Sequence, residues 1–62
     1  MNGIDEVIKS AGSVAQLARE TGLTYQAIDQ WVRNGEIPAR RFKMLKERYG
    51  ISYDVLATPK KI

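Results

Sequence analysis

A chain of 62 residues and 7.0 kDa has room for one small core, and it contains neither cysteine nor histidine. That composition excludes disulfide staples, thiol nucleophiles, the usual zinc sites and any imidazole base. The net charge is +3 and unevenly placed: residues 1–32 carry two cations and four anions, residues 33–62 eight cations and three anions. A basic half suits a polyanionic partner, either nucleic acid or an acidic surface, though a solvated face kept charged for solubility has the same composition. Apolar runs of two or three residues fall far short of the ~20 that a membrane-crossing helix needs. Asp5 and Glu6 precede the first basic residue, so the amino end does not read as a signal peptide. The expectation is a cytoplasmic, soluble protein with no membrane association.

Taken in chain order, the apolar residues recur at helical spacing and glycines divide them. Ile4, Val7, Ile8 and Ala11 form the first stripe, with Asn2 as N-cap and Gly12 as stop. Ser13 and Gln16 then have the spacing of a capping box, the hydroxyl accepting from Gln16 N–H and the glutamine reaching back to Ser13 N–H. Val14, Leu17 and Ala18 are the stripe of this second helix, and Gly22 ends it. Thr24 offers an N-cap for a third helix with Ala27, Ile28, Trp31 and Val32 facing inward, closed by Asn34-Gly35. Pro38 fits the first turn of a fourth helix that buries Phe42, Leu45 and Tyr49 before Gly50. Ser52 caps a last short turn carrying Tyr53, Val55 and Leu56. No segment alternates with period two, so the fold predicted is all-α, with about five short helices in one domain over residues 1–57. Residues 58–62 read as a basic, frayed tail.

The second and third helices are separated only by Thr21, Gly22 and Leu23. Alanine at 18, glycine at 22 and a branched apolar residue at 28 have the spacing of a DNA-binding helix-turn-helix: small where the helices cross, glycine where the chain reverses, apolar where the second helix packs back. On a wheel of about 100° per residue, the apolar residues of the third helix fill one arc. Tyr25, Gln26, Asp29, Gln30 and Arg33 fill the opposite one. Glutamine can bond adenine bidentately, arginine can grip guanine, and aspartate can accept from cytosine N4. Each also has a plain structural use. Gln26 and Gln30 suit any solvated helix, Asp29 is spaced to pair with Arg33, and Tyr25 lies at the margin of the core face.

Phosphate contacts are expected around the reader helix. Arg40, Arg41 and Lys43 open the fourth helix, where cations oppose the helix dipole unless an anion sits among them. Ser13 and Gln16 are a second candidate clamp, in competition with their own capping box. Lys46 and Arg48 read as a solvated face, and Lys60 and Lys61 as nonspecific attraction. Tyr53, Val55 and Leu56 are candidate dimer contacts, with capping of the monomer core as the alternative.

Residues 17–31 (LARETGLTYQAIDQW), followed by Gly35-Glu36-Ile37-Pro38 and a basic helix, resemble the Cro repressors of temperate phages and prophages. The resemblance spans roughly residues 10–50 and implies a repressor that binds a pseudo-palindromic double-stranded DNA operator as a homodimer. It implies base contacts at Tyr25, Gln26, Asp29, Gln30 and Arg33. Cro folds occur both all-α and with a carboxyl-terminal β-hairpin, and the helical spacing of residues 38–49 favours the first. The short carboxyl end shows no dimer strand, so a weak or DNA-dependent dimer is expected. No cofactor, metal or small-molecule substrate is expected. An enzyme is disfavoured by scattered acids and the lack of a phosphate-cradling glycine loop. The alternative function is an antitoxin-like protein-interaction module of a prophage that autoregulates through the same motif, although twelve residues after Gly50 are scant for a toxin-binding tail.

Overall fold

Four side chains decide where the helices begin. In the computed structural model, which describes residues 2–60, Asn2, Ser13, Thr24 and Ser52 each accept a backbone N–H three residues on. The distances are 2.9, 3.1, 3.1 and 3.4 Å. Each cap satisfies a donor that the helix itself cannot, which stabilises by about 1 kcal/mol. The helices they start are α1 (Gly3–Ala11), α2 (Val14–Thr21), α3 (Tyr25–Asn34) and α5 (Tyr53–Ala57); α4 (Phe42–Tyr49) lies between the last two. Among the described residues there is no strand, so the all-α expectation holds.

The exception is α4. The sequence places Pro38 inside its first turn, but Pro38 stands before it in an extended conformation (φ −58°, ψ 135°). Proline has no hydroxyl or carboxamide to cap with, so the chain tightens into a 3₁₀ turn, Ala39–Arg41, in which Arg41 N–H donates to Pro38 C=O at 2.9 Å. The α-helix proper starts only at Phe42.

Ile4 and Val7 of α1, Leu17 of α2, Ile28 and Trp31 of α3, Leu45 of α4 and Leu56 of α5 make one buried core, joined by Ile37 from the link after α3. Burying each such aliphatic side chain stabilises by roughly 1.5–3 kcal/mol before chain entropy is set against it. Helix α1 packs on α2, α4 and α5, while α3 packs chiefly on α2. Gly35 ends α3 with φ 73°, a conformation glycine takes without strain, and the N–H groups of Gly35 and Glu36 return to Trp31 C=O at 2.8 and 3.2 Å.

The carboxyl end is not frayed as far as it is described. Gly3 N–H donates to Thr58 C=O at 3.1 Å, Lys60 N–H donates to Gly35 C=O at 2.7 Å, and Lys60 Nζ reaches Asp5 Oδ1 at 3.2 Å. Residues 58–60 thus form a strap from the start of α1 to the end of α3. Gly3 permits this closure, since a Cβ there would stand 2.6 Å from Leu56 O. Lys61, offered by the sequence as a source of nonspecific attraction, lies outside the described residues, as does Ile62.

Candidate nucleic-acid interface

Helix α3 is fixed on one side by Ile28 and Trp31, which are 0% and 5% exposed. The opposite side is open. Tyr25, placed by the sequence at the margin of the core, is 58% exposed, and Gln26, Gln30 and Arg33 are exposed as well. A ten-residue helix with side chains is about 10–12 Å across, which matches a major groove about 12 Å wide.

Asp29 is half-buried, and its Oδ2 accepts from Arg33 Nε at 2.8 Å. The pairing that the spacing allowed is therefore made. At a solvent-facing position it adds only about 0.3–0.5 kcal/mol to the helix. Its larger effect is geometric, because it holds the guanidinium by its inner nitrogen.

Arg40 and Lys43 are exposed and Arg41 half-buried, on the 3₁₀ turn and the first turn of α4. An open hollow of about 350 Å³ separates α3 from the link that follows it, with Gln30, Trp31, Asn34, Glu36, Ile37 and Arg40 on its walls. A candidate base reader, Gln30, and a candidate phosphate contact, Arg40, thus share one depression. Glu36 shares it too, an anion that the sequence reading did not place there.

Ser13 and Gln16 open α2. Only half of the expected capping box forms: Ser13 Oγ accepts from Gln16 N–H, but the Gln16 side chain does not return to Ser13. Instead its Nε2 donates to Glu20 Oε2 at 2.9 Å, a charge-assisted bond one turn along the helix that turns the side chain away from Ser13 N–H. The other oxygen of Glu20 accepts from Tyr49 O–H of α4 at 2.7 Å. These two bonds, from Gln16 first and then Tyr49, hold the Glu20 carboxyl below its ordinary value. Burial, and then the bond to Glu20, pushes the Tyr49 phenol up to about 12. Sequence reasoning took Tyr49 only as an apolar residue and missed this bridge. The readable part was the Gln16–Glu20 spacing of four.

Of the dimer candidates, Leu56 is 2% exposed and belongs to the core, so its side chain is not on the surface. Val55 is half-buried. Tyr53 is 45% exposed, its ring 6.4 Å from that of Phe42 and 4.7 Å beneath Lys46 Nζ. Among the described residues no group of three or more carboxylate, histidine or cysteine side chains could hold a metal. None of the described helices is long and apolar enough to cross a membrane.

Five short helices with a capped, glycine-turned α2–α3 pair define a small all-helical domain of helix-turn-helix-like build. Residues 4–48, from α1 almost to the end of α4, match the family described as Bacterial toxin YdaS, and the chain belongs to that family. Membership makes it a small prophage-type protein of the regulatory, toxin–antitoxin-like kind. No curated protein and no solved structure matches it significantly.

Proposed function

We propose that the chain is a Cro-type, sequence-specific repressor that acts in the cytoplasm of a bacterial host. It lays α3 in the major groove of a pseudo-palindromic operator and binds as a weak or DNA-dependent homodimer, with half-sites about 34 Å apart. One observation carries this reading. The reader helix buries Ile28 and Trp31 while leaving Tyr25, Gln26, Gln30 and Arg33 exposed along its other side. Arg40, Arg41 and Lys43, with Ser13 and Gln16, supply the phosphate grip. No catalytic step and no cofactor are part of the proposal.

Selection of bound sequences from a random duplex pool at near-physiological salt tests it. Recovery of a two-fold pseudo-palindrome is the expected result. Salt-sensitive binding with no enriched sequence overturns specific readout, since phosphate contacts alone carry no sequence information.

A second reading is favoured by the description of the family as a bacterial toxin. In it the chain is the protein-binding member of a prophage toxin–antitoxin pair and the helix-turn-helix serves autoregulation. Growth arrest on expression, relieved by a second prophage protein that binds the chain directly, supports that reading over the first.

A further inference from the structure

We infer that Arg33 reads a guanine and that Asp29 is its positioning residue rather than a base reader. This inference rests on the DNA-binding reading and deepens it. Arg33 is the end of the polar row on α3, with its side chain 76% exposed. A free arginine of that exposure samples many rotamers, and ordering it on a base costs entropy. Here one end is already held. Asp29 Oδ2 takes the Nε hydrogen at 2.8 Å from one turn earlier on the same helix. That bond occupies the inner edge of the planar guanidinium and leaves both terminal nitrogens as a forward-facing fork.

Two parallel donors match guanine O6 and N7, the only pair of adjacent acceptors on a major-groove edge. Adenine offers one acceptor beside a donor, and cytosine and thymine offer no such pair. The acidic partner also explains why a carboxylate is tolerated on a face meant for a polyanion. Its charge is neutralised by the residue it orients, and the side chain is the less exposed of the two, at 39%. An Asp29 that instead accepted from cytosine N4 would have to release Arg33 Nε or share the same carboxylate with it.

The test is operator selection with the full chain and three variants: Asp29→Ala, Asp29→Asn and Arg33→Lys. Both side chains face solvent, and circular dichroism confirms that each variant folds. The wild type is expected to select guanine at one position of each half-site by roughly ten- to hundredfold. Arg33→Lys keeps the charge but lacks the planar fork, so it weakens that preference with an unchanged salt slope. Asp29→Ala weakens the same preference several-fold and binds unrelated DNA at least as well, because an anion has been removed. Asp29→Asn, whose Oδ1 still accepts from Nε, restores part of it. An Asp29→Ala protein that keeps its guanine preference overturns the inference, and so does one that loses a cytosine preference elsewhere. Equal weakening on every sequence also overturns it, since that is what a merely structural role would give. A wild type that selects no sequence at all overturns the sequence-specific reading and takes this inference with it, a result distinct from the other three.

Discussion

Helices α3 and α4 lie next to each other in the chain and are built on opposite terms. Helix α3 starts at a threonine cap, ends in a glycine stop with returning hydrogen bonds, and sinks two large residues into the core. Helix α4 has a glycine stop of its own at Gly50, but it has no side-chain cap, begins as a 3₁₀ turn and buries only Leu45 completely. The polar face of α3 is held at fixed angles, as reading base edges requires. The cations that precede and open α4 need only be near a phosphate, and a point charge tolerates looser placement. On the proposed function, specificity sits on the rigid element and general affinity on the loosely started one.

The comparison breaks first at Trp31. Trp31→Ala should cost about 3–5 kcal/mol, most of the stability of so small a domain, in a urea melt. A loss under about 1 kcal/mol would mean that α3 is not anchored as described. The next largest effects separate the two helices by function. Gln26→Ala should cost about 1–3 kcal/mol on the preferred operator and relax one base position. Arg40→Ala should weaken all sequences alike and lower the salt slope by about one. If either variant behaved like the other, the division of labour would be wrong.

A smaller effect, of about 1 kcal/mol, is expected for Tyr49→Phe, which removes the hydroxyl that ties α4 back to α2 through Glu20. The phenol is raised from 10.0 to about 12 in the folded state. Its contribution is therefore complete below the unfolded value and lost as pH rises through the folded one, between about 10 and 12. The carboxyl of Glu20 is lowered, so its contribution is present above the ordinary value of 4.5 and lost as pH falls below it. Alkaline melts should show a limb that Tyr49→Phe abolishes, and persistence of that limb in the variant would assign it elsewhere. Thr24→Ala, which removes the cap of α3, should cost about 1 kcal/mol or less by thermal melt. A variant indistinguishable from the wild type would erase one of the contrasts with α4.

Much of this was legible because it is local. Asn2, Ser13, Thr24 and Ser52 announce helix starts through bonds three residues long, and the α3 wheel separates Ile28 and Trp31 from Gln26 and Gln30 without reference to any other helix. What was not legible depends on distance. Tyr49 and Glu20 are 29 positions apart, and nothing in either neighbourhood points to the other. Ile37 sits in a link with no period, so its burial follows from tertiary closure alone. Gln16 had two local partners within reach, the Ser13 N–H for its oxygen and the Glu20 carboxylate for its Nε2, and a sequence pattern ranks the cap above the charge that took it. The late start of α4 was hidden by a proline that suits a first turn in isolation. Of the candidate interface, the reader row was visible, while the hollow joining Gln30 to Arg40 needed the link folded back against α3.

The strap has a consequence for the order of events in folding. The helix pairs α1–α2, α2–α3 and α4–α5 are neighbours along the chain and can form early, whereas the contact of Asp5 with Lys60 closes a loop of 55 positions. The docking of α5 on α1 already closes a loop of nearly that length as the core forms, so the strap adds only its last, exposed residues to a closed ring and shuts last. By the same reasoning it opens first in native-state fluctuations, and the amide of Lys60 should exchange its hydrogen well ahead of those at Leu17 or Ile28. An opening that also releases Lys60 N–H frees the Gly35 carbonyl, so the stop that closes α3 loses a bond made to it by the carboxyl-terminal strap.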